Sequence, residues 1–299
     1  MGRIDFVGIG FCSNDHLCRI PELVPDSKVE MLEHEVQGGG PGGGAVVAAA
    51  RLGVSAAIVG TTGSDADGDM IVRDFRKEGV DVRYLRQNPG EFSPIAYCLI
   101  TPDGRRTVAW SRQNLTDFPA EELPVELIAD AKIVHFDGHQ IAAALRAAEI
   151  ARKHGVLTCF DAGSVRPGTE ELLALCDVVI TSEHFAKTYT GESDFVSALH
   201  KLDNGRKVTG VTMGKDGSMC LAGGKLFVQK VYDPGIVVDT TGAGDSYHGA
   251  FDVRYLETGD VAESMRFAAV FAALKCRRLG ARAGQPHRAE VEAVLKEWK

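Results

Sequence analysis

The sequence predicts a doubly wound α/β fold with a mostly parallel central sheet and a small β-sheet lid. Three observations lead to this prediction. Short β-branched apolar runs alternate with helical stretches along the chain, as they do in open α/β sheets. Two further segments alternate polar and apolar residues outside that rhythm. The chain has 299 residues, of which 44% are hydrophobic, so it can bury a full core.

The apolar runs are typical of parallel strands that are buried on both faces. They lie at 4–10, 56–60, 132–138, 156–163, 177–182 and 208–214. Helical stretches are predicted between them at 66–79, 139–154, 183–190 and 243–258. A glycine-rich loop is predicted at 38–44, and it leads into a helix that ends at Arg51-Leu52-Gly53.

The lid is predicted from the two segments that break the rhythm. Residues 28–36 alternate with a period of two, and residues 97–112 indicate two strands around a Pro-Asp-Gly-Arg turn. We therefore predict one domain over 1–299, with lid strands inserted at about 12–37 and 82–113. Mobile lids beside a rigid sheet often bind ligands.

Composition excludes several classes of function. The net charge of −8 argues against a nucleic acid or an anionic membrane as partner. The N-terminal residues lack the apolar stretch of a signal peptide, and no charge-free apolar run approaches the roughly 18–20 residues of a membrane helix. The seven cysteines show no C-x-x-C spacing, which favours reduced thiols. These features predict a cytoplasmic protein.

The most specific motif is Asp-Thr-Thr-Gly-Ala-Gly-Asp at 239–245. A strand-like run ends there, and a helix is predicted from Ala243. Backbone amides at a helix N-terminus favour an anion, and the small residues let a ligand approach them. Asp245, with a reference pKa near 4, suits a base that accepts a proton from a hydroxyl. The alternative interpretation is a tight turn with a helix-capping aspartate.

As a whole, this string resembles the C-terminal signature of the ribokinase-like (PfkB) carbohydrate kinases. The resemblance extends over nearly the whole chain. It includes the glycine-rich stretch that ends in Arg51-Leu52-Gly53, and VTMGKDGS at 211–218 resembles the nucleotide-side turn. Within the family, GGGP at 38–41 and the Tyr-His-Gly-Ala that follows Asp245-Ser246 are most similar to the sulfofructose kinase and ketohexokinase-like branch.

The resemblance implies an ATP-dependent kinase that phosphorylates a primary hydroxyl of a ketose or a ketose derivative. Asp245 is implied as the catalytic base, and the amides of Gly242, Ala243 and Gly244 as the anion hole. The implied substrate-binding positions are Asp15, Lys28, Gly39, Gly40, Gly42, Gly44, Trp110, Arg112 and His139. The implied nucleotide-binding positions are Gly214, Lys215, Gly217, Gly244, Ala269 and Ala272.

The implied cofactors are ATP and Mg²⁺, and K⁺ is a further candidate. Glu183 is expected to approach Mg²⁺ through water, because Ser182 and Phe185 stand where the family's Asn-x-x-Glu pattern is expected. A monovalent cation would be bound by Asp239, Thr241, Gly280 and Gly284. The resemblance also implies a homodimer formed through the lid, because an unpaired strand edge tends to associate.

Three substrate positions depart from the family pattern. Gly44 replaces an asparagine that contacts substrate, so it is interpreted as a missing side-chain contact. Trp110 and His139 stand where the sulfonate-binding branch has asparagine and arginine, which weighs against sulfofructose itself.

Several alternatives remain open. A nucleoside kinase would share the Asp245 site and would need an aromatic slot, for which Trp110 and Phe118 are the hints. A non-catalytic sugar or nucleotide sensor on the same fold is a second alternative. His135, Asp137 and His139 could bind zinc, although a strand-to-helix turn that contacts substrate is the favoured interpretation. Lys215 is better explained by a hairpin turn than by a Walker A loop, whose spacing it misses.

Overall fold

A computed structural model describes residues 3–298 as a large and a small β-sheet with helices on both faces of the large one. In chain order, the strands are β1 (Phe6–Ile9), β2 (Ser13–Arg19), β3 (Glu33–Gly39), β4 (Ala56–Gly63), β5 (Leu85–Asn88), β6 (Ile95–Ile100), β7 (Arg106–Ser111), β8 (Ile133–Phe136), β9 (Leu157–Ala162), β10 (Val178–Ser182), β11 (Val208–Thr212), β12 (Ser218–Ala222) and β13 (Lys225–Gln229).

The helices alternate with the strands of the large sheet. They are α1 (Pro41–Arg51), α2 (Ala66–Lys77), α3 (Val125–Ala129), α4 (Ile141–His154), α5 (Thr169–Leu175), α6 (Glu183–Thr190), α7 (Phe195–Leu202), α8 (Ala243–Thr258), α9 (Val261–Lys275) and α10 (Arg288–Glu297). Each helix within residues 3–298 is too short or too polar to cross a lipid bilayer.

The large sheet has nine strands in the order β13-β12-β11-β10-β9-β8-β1-β4-β5. The strands from β11 to β5 pair in parallel, and β12 and β13 form an antiparallel edge. Both faces are apolar because helices cover both. Phe6 packs into the core on one side of the sheet, and its neighbour Val7 packs into the core on the other.

The order of strands in the large sheet determines where a ligand can bind. From β1 the chain builds outward through β4 and β5, and it then returns to place β8 on the other side of β1. The segments that follow β1 and β8 therefore diverge and leave a crevice at the carboxyl ends of these strands. Open α/β sheets bind their ligands at such a switch point.

The small sheet has the order β3-β2-β6-β7. On its inner face, Leu17, Cys98 and Ile100 form a small buried core together with the partly buried Leu279. Its outer face is more open, and Tyr97 is 45% exposed there. The sheet thus packs over the large domain and presents a second face to solvent.

The six predicted buried strands and the four predicted helices are confirmed, with shifts of a few residues at their ends. The strand expected from residue 28 begins at Glu33, because β2 ends at Arg19 and leaves the residues before Glu33 without a pairing partner. The segment 82–113 contributes to both sheets. Its first strand, β5, pairs with β4 in the large sheet, and only β6 and β7 join the small one.

The prediction of a loop at 38–44 is wrong. Strand β3 runs to Gly39 and α1 begins at Pro41, so Gly40 alone connects them. Proline suits the first helical position because its φ is preset and the missing N–H needs no partner there. Gly40 has φ of 85°, and a Cβ there would lie 2.5 Å from the carbonyl oxygen of Phe11. Gly42 and Gly44 therefore belong to the first turn of α1.

Candidate active site

The crevice between β1 and β8 is held together by Asp137, which follows β8. Its carboxylate accepts the backbone N–H groups of Phe11 at 2.7 Å, Gly42 at 2.8 Å and His139 at 3.0 Å. These bonds join the end of β1, the first turn of α1 and the turn before α4. Asp137 is buried, and its three hydrogen bonds hold the crevice walls together, while a contact with substrate stays a prediction.

Asp15 lies on β2 at one side of this crevice and is buried. The Ser13 hydroxyl donates to its carboxylate at 2.6 Å. Gly39 on the paired strand packs directly against that carboxylate, and a Cβ at Gly39 would overlap it. Burial raises the pKa of Asp15, while the Ser13 hydrogen bond opposes the shift. The carboxylate is therefore fixed in place by its neighbours.

Three rings, Phe11, Trp110 and His139, form an aromatic wall beside this crevice. The Phe11 and His139 rings are stacked with centroids 4.6 Å apart. Trp110, which comes from β7 of the small sheet, meets them edge-on at 5.6 and 6.0 Å. Arg166 lies 3.2 Å from Nε2 of His139. Two of the predicted substrate positions, Trp110 and His139, are thus brought together.

The motif at 239–245 forms the start of α8, as predicted. Gly242 adopts φ of 70°, and a Cβ there would lie 2.6 Å from the Cβ of Ala281. No side chain caps the helix. The Ala243 amide donates to the Thr240 carbonyl at 3.2 Å, so a ligand would compete for that amide. Gly244 faces open space, since a Cβ there would meet no atom within 4 Å.

The predicted nucleotide-side turn is the connection between β11 and β12. Gly214 and Lys215 lie in a short 3₁₀ turn, and Gly217 ends it with φ of 91°. The Ser218 hydroxyl is 2.9 Å from the Tyr247 hydroxyl and so connects the hairpin to α8. The hairpin interpretation of Lys215 is confirmed.

The other two nucleotide-side predictions, Ala269 and Ala272, lie on α9, which packs beside β12 and β13. Ala269 is buried, and Ala272 packs against the main hydrophobic core. Both are therefore small residues in a packed helix, and their contact with a nucleotide stays a prediction.

Two of the predicted cation positions, Thr241 and Gly280, contact the carboxylate of a third, Asp239. One oxygen accepts the Thr241 amide at 2.8 Å and the Thr241 hydroxyl at 2.7 Å, and the other accepts the Gly280 amide at 2.8 Å. Gly284 packs against the backbone carbonyl of Lys275, where a Cβ would come within 2.6 Å. Thr241, Gly280 and Gly284 therefore form one layer around Asp239, the first residue of the motif.

Glu183, the predicted Mg²⁺ contact, is the first residue of α6 at the carboxyl end of β10. Its carboxylate is 3.4 Å from the ammonium of Lys187. The Ser182 hydroxyl accepts the Phe185 amide at 3.0 Å and caps the helix. The residues at the Asn-x-x-Glu positions therefore serve the helix N-terminus, and Glu183 adds an acidic group next to them.

Known proteins share this fold. The family model described as pfkB family carbohydrate kinase matches residues 5–288. The chain belongs to the pfkB family of carbohydrate kinases. It is 26% identical to a ribokinase of Haemophilus influenzae over 96% of this chain and 97% of the relative. It is 29% identical to an ATP-dependent ribose-1-phosphate kinase of Halopiger xanaduensis over 93% of each.

A solved structure supports the same assignment. Arabidopsis thaliana ribokinase, in complex with ribose and ATP, superimposes with a TM-score of 0.86 at 27% identity and with 99% of each chain covered. The ribokinase-like fold and the activity of an ATP-dependent carbohydrate kinase are therefore established for this chain.

In this kinase, Gly44 lies against the motif at 239–245. It lies in the first turn of α1, buried, and faces the start of α8. A Cβ at Gly44 would lie 2.7 Å from the Cβ of Asp245. A side chain at this position would require Asp245 to shift, and the effect of Gly44 on substrate preference stays a prediction. Gly44 lets the N-termini of α1 and α8 approach each other and thereby positions Asp245.

We expect Gly44→Ala to lower kcat of the kinase, because the added methyl must displace Asp245. The cost of such overpacking is about 1–3 kcal/mol in the free energy of unfolding. Steady-state kinetics and chemical denaturation of the variant measure both effects. Parental kcat together with parental stability would contradict the close packing of Gly44 against Asp245.

The carboxyl group of Asp245 has an unusual electrostatic environment. Burial raises its pKa, and the Asp137 carboxylate acts in the same direction. The Arg106 guanidinium opposes the shift, as do His135 and Lys275. Arg106 belongs to β7 and donates to the Thr240 hydroxyl at 2.9 Å, so the small sheet places a cation beside the motif.

The raised pKa of Asp245 predicts the pH dependence of the kinase. A base must be ionised, so activity is lost as the pH falls through that pKa. We expect the acid limb of kcat/KM, which reports the free enzyme, to lie above the ordinary aspartate value of about 4. A pH–rate profile measures this, and an acid limb at or below that value would contradict the burial of the base.

Two buried histidine–carboxylate pairs lie behind the site. His135 Nδ1 is 2.7 Å from Asp252, and His248 Nε2 is 3.2 Å from Asp161. Burial lowers the pKa of His248 to about 3 and raises that of Asp161. Within residues 3–298, no cluster of acidic, histidine or cysteine side chains could bind a metal ion, which argues against the zinc interpretation.

Sequence reasoning missed Arg282, which is buried beneath the glycine-rich stretch. It donates to the Gly39 carbonyl, and its guanidinium lies 4.2 Å from the centre of the Phe75 ring. A Cβ at Gly43 would overlap its guanidinium. The glycine run itself was the available signal, because glycines leave room for a large side chain from elsewhere in the chain.

Proposed function

We propose that this kinase transfers the γ-phosphoryl group of ATP to a primary hydroxyl of a small ketose or ketose derivative. The observation that carries the proposal is the position of Asp245 at the uncapped N-terminus of α8. The Asp245 carboxylate is close enough to Asp15 for its charge to raise the pKa of Asp15. A base and a hydroxyl-binding carboxylate therefore share one crevice.

The reaction follows from these positions. Asp15 accepts hydrogen bonds from sugar hydroxyls, and the wall of Phe11, Trp110 and His139 packs against the apolar face of the ring. Asp245 accepts the proton of the attacking hydroxyl as its oxygen bonds to the γ-phosphorus. The bond from that phosphorus to the bridging oxygen of ADP breaks, and the amides of Gly242–Asp245 stabilise the migrating phosphoryl group.

Mg²⁺ fits this arrangement because it needs few protein ligands and is bound mainly by phosphates, water and one or two carboxylates. Glu183 supplies a carboxylate at the carboxyl end of β10. When bound, Mg²⁺ neutralises the charge of the ATP phosphates. The small sheet carries Arg106 and Trp110 toward the crevice, so its closure over substrate would exclude water.

We infer that the acceptor carries an anionic group. Arg166 lies against the ring of His139 at the aromatic wall. Burial lowers the pKa of His139, and the nearby Arg166 adds to this effect, so the guanidinium is the cation that this part of the wall offers to an anionic group. Arg112 is nearby and is paired with Asp117. Lys28 lies on the exposed segment before β3, and its contact with substrate stays a prediction.

A panel of acceptors tests the proposal. ADP release is measured with ketoses, ketose phosphates, sulfonated ketoses, 2-keto-3-deoxy acids and nucleosides, with Asp245→Asn as the inactive control. We expect turnover with an anionic ketose derivative, and we expect Arg166→Gln to raise its KM more than that of the uncharged parent sugar. Turnover limited to nucleosides would overturn the proposed acceptor class, as would an equal effect of Arg166→Gln on both sugars.

The nucleoside alternative needs an aromatic slot, and one of the two residues suggested for it lies at the crevice. Trp110 faces the crevice, whereas Phe118 is buried in the core beneath α4 and its backbone amide donates to Gln140. The sensor alternative would give ATP binding without turnover on any acceptor of the panel. The family assignment as a kinase weighs against it.

We propose that two copies of the chain associate through the small sheet. All six residues of the edge strand β7 are exposed, including Val108 at 41%. Unpaired edge strands with apolar side chains tend to pair. Sedimentation at several protein concentrations tests this, and a Val108→Lys variant should shift the equilibrium to monomer. A parent chain that stays monomeric throughout would refute it.

A further inference from the structure

The layer around Asp239, where the family resemblance places a monovalent cation, contains a lysine. Lys275 is the last residue of α9, and its side chain is 0% exposed. Its ammonium donates a hydrogen bond to the backbone carbonyl oxygen of Asp239 at 2.8 Å. A positive charge of the protein itself therefore contacts the first residue of the Asp-Thr-Thr-Gly-Ala-Gly-Asp motif.

Groups that carry negative charge lie close to Lys275. The carbonyl groups at the C-terminus of α9 carry partial negative charge. The carboxylates of Asp239 and Asp245 favour the charged form of Lys275, although burial lowers its pKa. A buried ammonium without such partners would be strongly destabilising. The charge thus has a compensating environment made of the same groups that would otherwise attract an ion.

The remaining groups of this layer are already engaged. One carboxylate oxygen of Asp239 accepts hydrogen bonds from Thr241, and the other accepts one from Gly280. The backbone carbonyl of Asp239 accepts a hydrogen bond from Lys275. The three oxygen atoms of Asp239 that could coordinate K⁺ are therefore already bound to protein donors. The residues present do not fit a monovalent cation at Asp239, in contrast to the expectation from the resemblance.

We propose that the ammonium of Lys275 takes the place of a monovalent cation and makes this kinase independent of K⁺. Lys275 is a positioning residue. Its hydrogen bond to the Asp239 carbonyl fixes the start of the turn from Asp239 to Gly242. That turn sets the orientation of the amides that receive the phosphoryl group. The proposal rests on the proposed kinase function, because it concerns the same anion hole.

The first test uses the parent protein with K⁺ or choline as the only monovalent cation at equal ionic strength. ADP release and the temperature of unfolding are both measured. We expect neither to depend on the cation. An increase of about tenfold or more in turnover with K⁺, or a higher unfolding temperature with K⁺ than with choline, would overturn the proposal, since a ligand of the native state stabilises it.

The second test removes the charge. We expect Lys275→Met to lower kcat in choline by about 10²–10³-fold, the effect of losing one fixed group at an anion hole. K⁺ or NH₄⁺ should restore part of the turnover and raise the unfolding temperature of this variant. Arg277→Met, at an exposed position just beyond the same helix, should match the parent in every salt.

The outcomes separate the alternatives. Parental kcat in Lys275→Met, or a loss of kcat that no monovalent cation restores, would leave Lys275 a structural residue and refute the proposal. If Lys275→Met does not fold, the response of the parent protein to K⁺ and choline still decides whether the kinase is independent of K⁺. If the parent has no activity with any acceptor, the proposed function fails, whereas its unfolding temperature in K⁺ and choline still tests the role of Lys275.

Discussion

Asp245→Asn is expected to lower kcat by about 10²–10⁴-fold, the usual contribution of a general base. The amide has nearly the same shape but cannot accept the proton of the sugar hydroxyl. Folding should survive, because burial already disfavours the charged form of Asp245. In an acid whose folded-state pKa is raised, ionisation costs stability as the pH rises. At neutral pH we therefore expect a free energy of unfolding equal to or above that of the parent.

The measurements for Asp245→Asn are single-turnover kinetics with saturating acceptor, ATP binding by calorimetry and chemical denaturation. Asp130→Asn is the matched control, because Asp130 is an exposed aspartate at the C-terminus of α3, away from the crevice. Near-parental turnover in Asp245→Asn would remove Asp245 from the role of base. Loss of turnover together with loss of ATP binding would indicate a disrupted site instead.

Gly244→Ala is expected to separate activity from stability. A Cβ at Gly244 meets no protein atom within 4 Å, and the residue lies in the first turn of α8. Alanine in place of a helical glycine stabilises a protein by up to about 1 kcal/mol. The same methyl would occupy the space in which the phosphoryl group must approach the amides. We therefore expect kcat to fall by about 10²–10³-fold in a fold at least as stable as the parent.

Gly242→Ala provides the contrast. Gly242 has φ of 70°, and its Cβ would lie 2.6 Å from that of Ala281. We expect this variant to lose about 1–3 kcal/mol of stability along with its activity. Kinetics and denaturation of both variants distinguish the two glycines. Parental turnover in Gly244→Ala would mean that the phosphoryl group does not approach there.

The sequence predicted those parts of the fold that depend on short stretches of chain. The buried strands were visible as apolar runs, because parallel strands covered on both faces need apolar residues at every position. The boundary between β3 and α1 was predicted wrongly, because a glycine run is typical of a loop. In the folded chain these glycines instead make room for Arg282, Asp15 and Asp245.

The sequence by itself determined the family and the start of a helix after Gly242. It also determined the position of Asp245, which is the third residue of α8. All of these follow from contiguous residues, whose backbone conformation and spacing are local properties. Only the tertiary structure decided that Gly44 packs against Asp245 and that Lys275 donates to Asp239. These contacts join residues far apart in the chain, and they exist because α1, α8 and the end of α9 converge on one point.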